Sequence, residues 1–289
     1  MSFRFSRHIL MVFLVACSSA PSGLDPAPTP SVPGTLDERP SAALRWTLTP
    51  VAEPMAYRSS SVSIVQLPGN PRADTISTTT DFTVALHRLS DNSARLSGIL
   101  ERFTINPPPE TDSSSSMTRV PFSFISRFST GRLSLDSAAD QSFGTATTCS
   151  PALSVLTSLQ RGFLLVPLVI TSGVTWKDST TVHGCNGVLP STMTLIRTFR
   201  VRGESNYSGQ RSVLIERADT TLTSGEGAQG QHRVFISTVG SGLTTIHLDR
   251  LTGLLLSADG NQVTRVQVRA SGRIQEFTQS TYEGTTLRR

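Results

Sequence analysis

The side chains able to do chemistry are few and scattered. His183 stands two residues before Cys185 in VHGC, and His247 two before Asp249 in HLD. On a strand that spacing puts both members of a pair on one face, where an imidazole beside a carboxylate or thiol can move a proton or hold a metal ion. Two ligands do not make a metal site, and no HExxH, CxxC or further His at ligand spacing accompanies either pair. Both pairs are read as surface polar residues, with no metal expected. The nucleophile signatures are missing too: there is no G-x-S-x-G, and Lys177, the only lysine, has no serine three residues before it. GEGAQG, Gly225 to Gly230, has the glycine spacing of a dinucleotide loop. That loop works only at the start of a helix, whose N-terminus meets the phosphates, and here the strand-like QHRVFIS follows. The run is read as a hairpin turn. No catalytic residue and no cofactor is assigned, and an enzyme is not expected.

One cysteine carries a sharper signal. In FLVACSSAPS, Cys17 follows a short apolar run and precedes small polar residues. Upstream, Arg4, Arg7 and His8 form a basic segment and Ile9 to Val15 an apolar one, too short to span a bilayer. Leu14-Val15-Ala16-Cys17 resembles the lipobox of bacterial lipoprotein precursors, matching it at all four places. The resemblance implies that the Cys17 thiol receives a diacylglyceryl group, that residues 1–16 are cut away, and that the new amine is acylated. Ser18, where an Asp would retain a Gram-negative lipoprotein at the inner membrane, then implies the outer membrane. An ordinary signal peptide cut after Ala20, and a coincidental cysteine, are the alternatives. Two or more acyl chains hold a protein stably where one does not, so the first partner expected is the membrane.

Residues 17–41 carry Pro21, Pro26, Pro28, Pro30, Pro33 and Pro40 among Ser, Gly and Thr. Such a stretch lacks the apolar side chains to fold. It reads as a lipidated tether reaching on the order of 30 Å as a coil and about 75 Å when stretched. Loss of Arg4 and Arg7 with the signal lowers the net charge of +5 by two. The remaining excess is weak and dispersed, which argues against nucleic acid as a partner.

From residue 42 to 289 the pattern is that of a single, mainly β domain. Arg45–Thr49, Ser60–Gln66, Ile76–Leu89, Ala94–Asn106 and Pro121–Phe128 are rich in Val, Ile, Thr and Phe, with PPPETDSSSS as a loop at 107–116. Further strands are expected at Thr192–Arg202, Arg211–Thr221, His232–Val239, Leu243–Leu248, Gly253–Ser257, Gln262–Ala270 and Arg273–Ser280. In QVTRVQVRA, Val266, Val268 and Ala270 alternate with Arg265, Gln267 and Arg269, the mark of an antiparallel strand wet on one side. Short connections predict a meander.

One helix is expected between the halves. In CSPALSVLTSLQRG, Ser150 suits the cap, Pro151 the first turn and Gly162 the exit. Leu153, Leu156 and Leu159 form an apolar stripe over 150–161. In an oxidising envelope the two remaining cysteines, Cys149 and Cys185, suit a disulfide, with two buried free thiols as the alternative. Trp176 reads as an end plug of the core or as a ligand contact.

The expected fold is a large curved antiparallel sheet or half-barrel with the helix packed on its concave face. That element order, with the lipobox, resembles the half-barrel lipoprotein carriers of the LolA, LolB and LppX kind, and no motif carries binding residues across. Two functions are compatible with it. In one, an apolar small molecule or lipid sits between helix and sheet, against Leu153, Leu156, Leu159 and Trp176. In the other, the interior is fully packed and the domain is a structural or interaction module for envelope proteins.

Overall fold

The structure, a computed structural model, describes residues 44–49, 53–70, 72–90, 93–107, 119–127, 132–135, 169–186, 189–229 and 232–288. The expected signal at 1–16, the tether at 17–41 with Cys17, the loop beyond Pro107, Cys149 and the expected helix at 150–161 with its three leucines lie outside the described residues.

Every element among the described residues is a strand. They are β1 (Arg45–Thr47), β2 (Met55–Gln66), β3 (Asp74–Ser90), β4 (Ser93–Asn106), β5 (Val120–Arg127), β6 (Arg132–Leu135), β7 (Val169–Thr171), β8 (Thr175–Asn186), β9 (Leu189–Tyr207), β10 (Gln210–Gln229), β11 (His232–Asp249), β12 (Leu255–Ala270) and β13 (Arg273–Arg288). Eleven of them form one antiparallel sheet in the order β6-β5-β4-β3-β2-β13-β12-β11-β10-β9-β8. It consists of two meanders, β2 to β6 and β8 to β13, joined where β13 pairs with β2. Its outer strands β6 and β8 do not pair with each other, so the sheet is open.

The strands are longer than the sequence pattern predicts. His232–Val239 and Leu243–Leu248 are one strand, β11, and the residues from 255 to 270 are one strand, β12, beginning at Leu255 rather than Gly253. Gly240, Gly242 and Gly260, read as turn residues, sit inside the ladder. The physical reason is crowding: a Cβ on Gly240 would lie 2.5 Å from Gln262 Nε2 and from Thr221 Oγ1, and one on Gly260 2.5 Å from Thr244 Oγ1. These glycines make room for neighbouring side chains instead of reversing the chain. GEGAQG is corrected likewise: Gly225 to Gln229 belong to β10 and pair with β11, Gly225 also with Ser191 of β9.

Alternation divides the sheet into two faces. One, here the inner face, carries an apolar cluster in which Tyr57, Leu100, Phe124, Phe199, Ile215, Ile246 and Leu248 are at most 1% exposed. Full burial of such side chains contributes about 1.5–3 kcal/mol each. The cluster lies toward the strand ends that meet the β9–β10 and β11–β12 turns, and a two-stranded ribbon closes it. In that ribbon β1 pairs with β7, Trp46 opposite Ile170, and both side chains enter the cluster with Leu48.

Local devices aim the ribbon. A bulge places Gly203 at φ 145° and shifts the register of β9 against β10. Glu204 thereby turns to the inner side, where it accepts a hydrogen bond from Trp46 Nε1 at 3.2 Å. At the opposite turn, Gly253 adopts φ 70°, and Leu48 lies so close that a Cβ there would sit 2.7 Å from it. Asp249 fastens this turn, accepting from the backbone amides of Leu251 at 3.0 Å and Thr252 at 2.7 Å.

Candidate functional site

Beyond the apolar cluster, the inner face turns polar. Arg217 on β10, Thr244 on β11, Gly260 on β12 and Glu283 on β13 stand in register across four strands. Arg217 is 1% exposed; its Nε donates to Asp219 Oδ2 at 2.9 Å and its Nη2 to Thr244 Oγ1 at 3.1 Å. Beside it, Arg197 on β9 donates from Nε and Nη2 to the two carboxylate oxygens of Asp178 on β8, at 2.8 and 2.5 Å. The Arg197 guanidinium also lies 5.5 Å from the centre of the Phe199 ring. Each buried cation thus has its own carboxylate, Arg197 gripping both oxygens of Asp178 and Arg217 meeting Asp219 through Oδ2, and such pairing offsets the cost of burying charge. Charges so matched brace the sheet and leave little to hold a free ion.

Trp176 is at the edge of this belt. It stacks on Phe199 with ring centres 4.9 Å apart and planes inclined by 12°. Its indole Nε1 is buried and has no hydrogen-bond partner among the described residues. Of the other expected site residues, Cys185 lies near the end of β8 opposite Pro190, and no disulfide occurs among the described residues, Cys149 being outside them. Cys17, Leu153, Leu156 and Leu159 are also outside.

His247 and Asp249 do share a strand and a face, but not as plain surface residues. Asp249 is committed to its turn and to Gln210, whose Nε2 donates at 2.6 Å. Burial pushes its carboxyl up, and the hydrogen bonds from Thr252, Gln210 and Leu251 outweigh this and hold it below the ordinary aspartate value. His247 Nδ1 lies 3.3 Å from Ser212 Oγ, and its ring packs against Tyr207 at 5.0 Å. Burial lowers the imidazole's proton affinity, against the opposing pull of Asp259. A serine, a histidine and an aspartate therefore gather here, yet Ser212 and the neighbouring Ser257 are 0% exposed. A substrate cannot reach a hydroxyl so enclosed, and the group packs the outer side of the turn. Among the described residues no three His, Cys, Asp or Glu side chains gather as metal ligands.

The open site is on the outer face, at the far end of β8 to β12. A depression of about 630 Å³ there is lined by His183, Thr192, Glu226, Phe235, Gln267 and Arg269, with Pro190, Ile236 and small residues between them. His183 Nδ1 lies 3.2 Å from Thr192 Oγ1, and Gln267 Nε2 donates to Glu276 Oε1 at 2.7 Å. Phe235 is 38% exposed, with the Arg233 guanidinium 5.0 Å from its ring centre. Arg233 in turn pairs with Glu226 at 3.2 Å. Short hydroxyl side chains form the floor and longer planar ones the walls, which is what makes a trough on a sheet surface.

Sequence reasoning missed both features. Arg197 and Arg217 were detectable: in LIRTFRV and VLIERAD each takes the place of an apolar residue in the inward phase, a charge where the pattern calls for core. The trough had no signal, because its residues come from five strands and look individually like solvated surface. No protein-family model matches the chain, and no curated protein matches it significantly.

Proposed function

We propose that this chain is a lipid-anchored protein of the cell envelope, held by an acylated Cys17 at the outer membrane, whose β domain is a binding and interaction module and not an enzyme. The observation that supports this most is the division between the two faces. The inner apolar cluster is occupied by the protein's own side chains and closed by the β1–β7 ribbon, while the open depression is on the other face, lined by polar and apolar side chains together. A helix at 150–161 laid on the inner face, its start fixed to β8 through a Cys149–Cys185 disulfide, completes this reading as a half-barrel with a filled interior.

A second reading, carriage of an apolar ligand between that helix and the sheet, is favoured by one observation. The buried Trp176 Nε1 has no acceptor among the described residues, and a ligand oxygen would supply one.

Two measurements test the first reading. Cys17→Ala should leave the membrane fraction or accumulate as uncleaved precursor, and firm attachment after normal processing contradicts the anchor. The mature full chain in detergent should sediment with delipidated envelope fragments. A chain that stays in the supernatant, and instead carries stoichiometric lipid in native mass spectrometry, favours the carrier.

A further inference from the structure

We infer that the outer-face trough is a binding site for an extended oligosaccharide, an inference that rests on the outer face being the binding face. The lining residues run from β8 to β12, four strand spacings, so the trough is about 19 Å long at about 4.8 Å per strand. A ligand filling it crosses the strands and lies flat on them.

The chemistry of the floor selects among ligand classes. Backbone amides and carbonyls of the inner strands β9 to β12 are used in the ladder, and β8 keeps free only those on its outer edge, so along the trough recognition comes mainly from side chains. That disfavours a peptide, whose main chain is gripped at the edge of a sheet and not on its face. The floor hydroxyls of Thr192, Ser224 and Ser237 each donate and accept, matching a ligand with hydroxyls of its own. At the walls stand groups suited to sugar rings: the exposed Phe235, the Gln267 amide, fixed by Glu276 with its carbonyl oxygen left to accept, and the planar Arg269. His183, oriented through Nδ1 by Thr192, offers Nε2 at the β8 end.

Two other classes fit less well. An acyl chain needs a continuous hydrophobic wall, whereas here Phe235, Ile236 and Pro190 are interspersed with hydroxyl, amide and charged side chains. A polyanion needs gathered cations, whereas Arg233 is already engaged by Glu226, a carboxylate in the lining itself, leaving Arg269 as the lining arginine.

The test is calorimetric titration of the mature full chain in detergent with chitotetraose, cellotetraose and maltotetraose as neutral probes and dextran sulfate as a polyanion. At least one neutral probe should bind. Phe235→Ala and Gln267→Ala should each weaken it by about tenfold with unchanged thermal melting, while Leu243→Ser, exposed on the same face but outside the trough, should leave it unaltered. Failure of all neutral probes, or binding of dextran sulfate alone, overturns the inference. If neutral probes fail but the chain still sediments with envelope fragments in a Phe235-dependent way, only the saccharide is wrong. Loss of sedimentation as well removes the binding-face reading beneath it.

Discussion

Arg217 and Glu283 stand on strands that are not neighbours, with β11 and β12 between them, yet their charged ends come within 3.9 Å. Three strand spacings amount to about 14 Å along a flat sheet. Two long side chains laid toward each other can meet over that span provided nothing obstructs the path. Gly260, directly between Thr244 and Glu283 in register, presents no side chain to block it. Gln262 Nε2 likewise reaches Thr221 Oγ1 at 2.6 Å by crossing over Gly240. Along this belt, then, ion pairs and glycines arrange the inner face together, the glycines leaving the paths that the long side chains follow.

Removing one member of the belt should be costly. Arg217→Met leaves Asp219 in a buried site without its cation, and breaking a buried pair costs about 3–5 kcal/mol. The double variant Arg217→Met/Asp219→Leu should recover much of the loss. Urea unfolding of the three proteins measures both steps, and a double variant no more stable than the single would show that the pair does not act as a unit.

Substitution at a belt glycine should cost far more than at its neighbour on the outer face. Gly240→Val drives a side chain into Gln262, Thr221 and Thr264 and should destabilise by about 1–3 kcal/mol. Ser241→Val, one residue on and exposed on the outer face, should stay within about 0.5 kcal/mol of wild type. Equal effects at the two positions would contradict the assignment of faces.

These contrasts also mark what was legible in the sequence. Val266, Val268 and Ala270 against Arg265, Gln267 and Arg269 gave the faces of β12 correctly, because one-residue alternation is a local signal. Strand length was not legible. Glycine usually ends a strand, and only the position of Gln262, Thr221 and Thr244 on other strands explains why Gly240 and Gly260 continue one. The same limit hid the trough: Phe235 and His183 are far apart in sequence and meet only through the order of β8 to β11. Arg197 and Arg217 show the intermediate case, a local anomaly whose partners were not local.

His247 makes stability depend on pH near neutrality. Its folded-state proton affinity is lowered by burial, so between the folded and unfolded values the unfolded chain binds the extra proton. Stability from this group is then fully present above about pH 6.5, the ordinary histidine value, and declines as pH falls below it. Urea midpoints measured from about pH 8 to 5 should drop more for wild type than for His247→Gln, and parallel curves would contradict the assignment.

The most direct measurement for the two-faced account places a photo-crosslinking side chain at one position on each face of adjacent strands. Ser237, exposed on β11, opens onto the outer trough; Thr264 on β12 faces the inner belt near Gly240. In living cells, with membrane anchoring and melting temperature unchanged in both variants, the account predicts adducts to envelope material from position 237 and none from 264. Adducts from 264 alone, above all with lipid, would contradict it and put the ligand on the inner face.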